Sequence, residues 1–231
     1  MLTTGSMTWV KICGMTNLED ALVAVEAGAD AVGFVFYEKS PRNVGVQTAR
    51  EIVESLPASA EKVGVFVGAD AEHIREVVSK AGLTAVQLHG KQSVDSVIGD
   101  PRTVVECVAA SKVILVVHGD SLKDGGFFMS AAACAKTFAM LLDSRSNGLA
   151  GGTGMTFDWE ATRDMVQAIS VRVPVIVAGG LSPLNVGEAM RTFQPFGVDV
   201  VTGVEARPGK KDPGKVRAFV RAVREMDRKA S

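Results

Sequence analysis

The chain has 231 residues, with 25 Lys and Arg against 26 Asp and Glu and a formal net charge of −1. That length suits one sizeable domain, and dispersed charge of both signs gives no basic stripe for nucleic acid. No apolar run reaches the roughly 18 residues of a membrane span, and no basic segment followed by an apolar core opens the chain as a secretory signal would.

Residues 1–6 carry no fold signal and read as a native extension or an added remnant, leaving 7–231 as the domain. The first strand is expected over Trp9-Val10-Lys11-Ile12-Cys13. It stops at Gly14, and Thr16-Asn17-Leu18-Glu19 reads as a capping box opening a helix. Cys13 then ends a strand beside a helix N-terminus, where a thiol can be partly exposed and acidified. The competing reading is a small buried hydrophobe. Lys11 shares its face by the two-residue period. Lying between Val10 and Ile12, it should be buried and paired with Asp199 or Glu205.

Further strands are expected at residues 31–36, 62–67, 85–89, 113–117, 139–143, 174–178 and 198–201. Between them, apolar residues recur with the spacing of one buried helix face. Examples are Leu18, Ala21, Leu22 and Val25, or Ile74, Val77, Val78 and Ala81, with Gly28 and Gly82 as C-terminal caps. Helical stretches near 94–110 and 121–135 are interrupted by Pro101 and Gly125-Gly126. Cys107 and Cys134 are expected to pack there. The three cysteines are far apart and odd in number, which argues against disulfides or a zinc knuckle and for a reducing cytoplasm.

Eight near-continuous apolar strands, each followed by a helix, point to a single (β/α)8 TIM barrel. A doubly wound sheet is the alternative. It places a glycine-rich phosphate loop after its first strand, and no G-x-G-x-x-G follows Cys13.

Function in such a barrel sits on the loops after the strands. Three glycine turns lie late in the chain, at Gly151-Gly152-Thr153-Gly154, Gly179-Gly180 and Thr202-Gly203. Glycine lets a backbone approach a ligand and aim N–H groups at it, so these turns point to a phosphorylated ligand. Asp143 ends the sixth strand and is either a cap or an acid–base group. Arg42 is either a solvated side chain or a fork for a carboxylate. Gln87 and His89 end the fourth strand on one face, as a structural pair or as ligand contacts. Asp199, between valines, needs a partner. Lys210 and Lys211 read as surface lysines.

Several segments resemble the phosphoribosylanthranilate isomerase family. They are Lys11-Ile12-Cys13-Gly14-Met15-Thr16, Gly33-Phe34-Val35-Phe36, Ser40-Pro41-Arg42, Gln87-Leu88-His89-Gly90, Leu142-Asp143-Ser144, Gly151-Gly152-Thr153-Gly154, Ala178-Gly179-Gly180-Leu181 and Gly203-Val204-Glu205, in the family's order. Where the family often has a lysine-alanine step in the fifth strand, this chain reads Val113-Ile114-Leu115-Val116-Val117.

The resemblance implies an Amadori rearrangement of N-(5'-phosphoribosyl)anthranilate in tryptophan synthesis. It implies Asp143 as general acid and Cys13 as general base. Arg42 holds the anthranilate carboxylate, with Gln87, His89 and Asp199 as further substrate contacts. Gly154, Gly179, Gly180, Thr202 and Gly203 hold the phosphate. No metal or organic cofactor is implied. The expected partner is this small substrate, with no nucleic acid or membrane, in a cytoplasmic monomer or homodimer. The chemistry requires Asp143 protonated near neutrality and the Cys13 thiol lowered by Lys11 and the following helix. Alternatives are a neighbouring indole-pathway lyase, using Lys11, or a barrel that binds sugar phosphates without turnover.

Overall fold

Side chains alternating across eight short strands sort themselves into a lumen and an outer shell. The computed structural model describes residues 7–89, 112–118, 137–143 and 159–230. The strands are β1 (Trp9–Cys13), β2 (Ala31–Phe36), β3 (Glu61–Val67), β4 (Ala85–His89), β5 (Lys112–His118), β6 (Thr137–Asp143), β7 (Val175–Ala178) and β8 (Gly197–Val200). Each pairs in parallel with the next, and β8 closes on β1 through Trp9↔Gly197 to Ile12↔Val200. The lumen is filled by Ala31, Val63, Ala85, Ile114, Val116, Ala139, Leu141, Ile176 and Ala178. The alternate residues, such as Val10, Ile12, Val32 and Phe34, face the helices and belong to a larger outer core. This is the packing expected of a parallel barrel.

The lumen is stopped at its N-terminal end by Trp9, Phe138 and Phe196. Trp9 and Phe138 meet edge to face at 6.1 Å between centroids, and Phe138 and Phe196 at 5.7 Å. Such pairs add about 1 kcal/mol each beyond area burial. The plug directs any ligand to the opposite, C-terminal end.

The described helices are α1 (Leu18–Glu26), α2 (Val46–Glu54), α3 (Ala71–Ala81), α4 (Trp159–Ser170), α5 (Val186–Phe193) and α6 (Pro213–Ala230). Gly82 caps α3 at φ 70°, and Gly28 follows α1 at φ 98°. The expected capping box does not form. Asn17 is the cap of α1, accepting from the Asp20 amide at 2.9 Å. The Thr16 hydroxyl donates instead to the Gly209 carbonyl at 2.6 Å. After β8 the chain makes a 3-10 turn at Thr202–Val204, then a small hairpin of β9 (Glu205–Arg207) and β10 (Lys210–Lys211). Cys107, Cys134 and the helical stretches expected at 94–110 and 121–135 lie outside the described residues.

One arginine joins the start of the barrel to its last helix. Arg224 Nη1 donates to the Thr8 carbonyl at 2.5 Å and to Asp227 at 3.2 Å. Its Nη2 donates to the Gly28 carbonyl and to Asp30, both at 3.0 Å. Thr8 closes the loop by donating its hydroxyl to Asp227 at 2.6 Å. Arg224→Ala is expected to cost about 2 kcal/mol, lowering Tm by roughly 4–8 °C with activity kept. An unchanged melting curve would refute this clasp.

Candidate active site

The C-terminal strand ends surround a cavity of about 360 Å³. β1 contributes Cys13, β4 contributes Gln87 and His89, and β6 contributes Asp143 from the far side. Arg42 enters from the loop after β2. Gly179 and Gly180 follow β7, and Asp199 and Thr202 lie on and after β8. A larger concavity of about 450 Å³ at the other end, by Phe193 and Phe196, has Arg172 as its charged side chain and no acid–base pair. The groups able to act as acid and base therefore line the first cavity.

Cys13 is 4% exposed, and a glycine makes its place. A Cβ on Gly33, its partner across β1 and β2, would lie 2.5 Å from the Cys13 sulfur. Gly33→Ala should displace the thiol and cut kcat at least about tenfold. A variant with native turnover would show that the sulfur's position is not critical.

Beneath the thiol, fully buried Lys11 donates to Asp199 at 3.0 Å. Burial works against the Lys11 charge, but Asp199 and Cys13 outweigh it, so its proton is held more tightly than usual. For Cys13 burial wins. It pushes the thiol up, and Lys11 and Lys211 oppose that push without overcoming it. The expected acidification is thus corrected. The reason is local: the Gly14 and Met15 amides, next to Cys13, both donate to the Gly33 carbonyl. The helix starts only at Leu18, five residues after Cys13.

Arg42 is held, not free. Its Nε and Nη2 donate to the two oxygens of Glu205 at 2.9 and 2.7 Å, and its methylenes pack where a Cβ on Gly14 would sit, 3.0 Å away. This side-on grip leaves the end-on pair of guanidinium donors for a second carboxylate. Burial pushes the Glu205 carboxyl up, but Arg42 and Lys211 hold it below the usual range. Lys211 is no surface lysine. It is 1% exposed, with Nζ 3.2 Å from Glu205. Asp20 accepts from its amide at 2.7 Å and from Lys210 Nζ at 2.7 Å.

Gln87 is buried, and its Oε1 has no hydrogen-bond partner among the described residues. A buried acceptor in that state is costly, so it suits a ligand donor. Gly179 and Gly180 turn at φ 91° and 67°, where a side chain would be strained. Gly203 is fixed by contact: a Cβ there would lie 1.9 Å from the Leu181 carbonyl. The two late turns are thus packed against each other. Gly154 lies outside the described residues. Sequence reasoning missed Lys211 and the grip of Glu205 on Arg42.

Residues 10–222 match the family model described as N-(5'phosphoribosyl)anthranilate (PRA) isomerase. The chain belongs to this family.

A relative from Pseudomonas fluorescens Pf0-1, an N-(5'-phosphoribosyl)anthranilate isomerase, is 44% identical over 93% of this chain and 97% of its own. Among solved structures, the phosphoribosylanthranilate isomerase of Thermotoga maritima is 39% identical, with TM-score 0.79 over 95% of this chain and all of its own. Another isomerase of the family, 38% identical with TM-score 0.76 over 95% of this chain and 100% of its own, is in complex with reduced 1-(o-carboxyphenylamino)-1-deoxyribulose 5-phosphate. A third, also from T. maritima and 37% identical, with TM-score 0.76 over 95% of this chain and 100% of its own, comprises monomers of a dimeric isomerase.

Proposed function

We propose that this cavity isomerises N-(5'-phosphoribosyl)anthranilate to 1-(2-carboxyphenylamino)-1-deoxyribulose 5-phosphate, with Asp143 as acid and Cys13 as base. The chain is an isomerase of tryptophan biosynthesis. The observation that carries the catalytic assignment is that Cys13 and Asp143 line one cavity together with Arg42, Gly179 and Gly180.

On this reading, Asp143 gives a proton to the furanose ring oxygen. The C1–O bond breaks, and the anilino nitrogen lone pair forms a C1=N Schiff base. Cys13, as thiolate, removes the proton from C2, giving an enolamine. Proton gain at C1 and loss from the C2 hydroxyl give the aminoketose. The rearrangement moves protons within one molecule, so a positioned acid and base suffice. Arg42 presents its open donors to the anthranilate carboxylate, and Gln87 Oε1 accepts from a sugar hydroxyl. The amides around Gly179, Gly180 and Gly203 take the phosphate, as glycine turns at this end of a barrel do.

The test is fluorescence-monitored turnover of freshly made substrate by purified protein. A flat trace with folded protein would overturn the reading. Arg42→Ala should raise KM at least about tenfold with kcat within a few-fold, because a clamp on the non-reacting ring acts in ground and transition states alike. A loss confined to kcat would remove that role.

Among the described residues no helix is long and apolar enough to cross a membrane. We place the enzyme in the cytoplasm, where its pathway supplies the substrate, and propose a homodimer on the likeness to the dimeric T. maritima enzyme. Sedimentation as a single 24.3 kDa species would show a monomer.

A further inference from the structure

Glu205 stands where two lines of contact meet. Its Oε1 accepts from Arg42 Nε at 2.9 Å, from Lys211 Nζ at 3.2 Å and from the Gly209 amide at 3.2 Å. Its Oε2 takes Arg42 Nη2 at 2.7 Å. One carboxylate thus faces two cations. Lys11 adds a third cation and Asp199 a second carboxylate, so the cluster holds three positive charges against two negative ones. Lys210 and Asp20 form a separate pair beside it. Buried charge left unbalanced is costly. A Cys13 thiolate would add a third negative charge here: Cys13 follows Ile12, which pairs with Val200 across the sheet, and Lys211 Nζ reaches the carbonyl of the next residue, Val201, at 3.4 Å.

Lys211 is also fixed by the residues that follow Cys13 in the chain. Its side chain has no exposed surface, its amide is held by Asp20, and the Thr16 hydroxyl holds the Gly209 carbonyl two residues earlier. The hairpin cannot swing its ammonium away without breaking these contacts. Beyond Glu205, Lys211 Nζ reaches the Val201 carbonyl at 3.4 Å, and Val201 lines the cavity.

We propose that Lys211, anchored by Glu205, is a positioning residue for the isomerisation: it sets a second buried ammonium against Cys13 and favours the proton-accepting thiolate. This rests on the reading of Cys13 as base. Burial disfavours the Cys13 anion most, and Asp199 on β8 also works against it; Lys11 on β1 and Lys211 on β10 oppose them. Asp143, His89 and Arg42 border the same cavity. Glu205 has a second consequence, because it ties Lys211 to the arginine that takes the carboxylate. The proton-accepting and carboxylate-reading ends of the site are therefore built on one shared oxygen.

The experiment is the pH dependence of iodoacetamide alkylation, with peptide mass spectrometry scoring Cys13 alone. The readout is the rate at pH 7 divided by the plateau rate at high pH, in which accessibility cancels. Lys211→Met should lower this ratio about tenfold, the effect of one neighbouring charge, and lower kcat more than it raises KM. Lys211→Arg should restore most of the ratio. An unchanged ratio in folded Lys211→Met protein would overturn the proposal, leaving Lys211 a structural residue. Should that variant not fold, Asp20→Ala removes the acceptor of the Lys211 amide from outside the site and must lower the ratio in the same direction; no change there would equally overturn it. A different failure marks the underlying reading: Cys13→Ala protein with native turnover would show that Cys13 is not the base, whatever its alkylation profile.

Discussion

Cys13→Ala and Asp143→Asn should each lower kcat at least about 100-fold, the usual scale for losing a positioned acid or base. Neither should unfold the protein. Both side chains border the cavity at strand ends, and neither belongs to the apolar clusters between helices and strands. The double variant should lose less than the product of the single effects, because an acid and a base serving one rearrangement act as a unit. Since burial holds the Cys13 proton more tightly than usual, kcat/KM should fall as pH drops, and wild-type protein should show this limb on its thiol. Steady-state kinetics with thermal melts decides the matter. Near-native turnover in either single variant would sink the mechanism while leaving the fold untouched.

The largest stability effect should come from a residue that touches no substrate. Lys11→Met leaves Asp199 buried at 4% exposure without its 3.0 Å partner. Breaking a buried pair in this way costs about 3–5 kcal/mol. Replacing both partners, as in Lys11→Met with Asp199→Leu, should recover much of that loss, because the cost lies in the stranded charge. The sign with pH follows from the raised affinity of Lys11 for its proton. Its contribution is fully present below the unfolded value of about 10.4 and is lost as pH rises through the folded value. Glu205 behaves oppositely. Its folded value is lowered, so its contribution is present above about pH 4.3 and lost as pH falls through that lowered value. Chemical denaturation of the single and double variants at neutral pH checks the first claim. A single variant as stable as wild type would refute it.

The barrel was legible because a strand covered on both faces must be apolar throughout. The runs at 9–13, 31–36 and 85–89 coincide with β1, β2 and β4, and the others shift by one or two residues at their ends. The candidate site was legible because strand ends are visible once strands are. What escaped was settled by residues far apart in the chain. Thr16 looked like a helix cap, but its hydroxyl is taken by Gly209, 193 positions later. Lys211 sits between Lys210 and Asp212 and resembles a solvated turn until the hairpin folds onto Asp20. Lys11 beside Cys13 was foreseen, yet the outcome depended on how deeply the thiol is buried, which spacing alone does not tell.

The clasp at Arg224 brings residue 8 beside residue 227, at the end of the barrel away from the cavity. Circular permutation should therefore be easy here. A few flexible residues could join the two ends, and new termini could open in the exposed turn between Ala58 and Ser59. For the same reason a fused partner, at either end, would hang below the barrel and leave its mouth unobstructed.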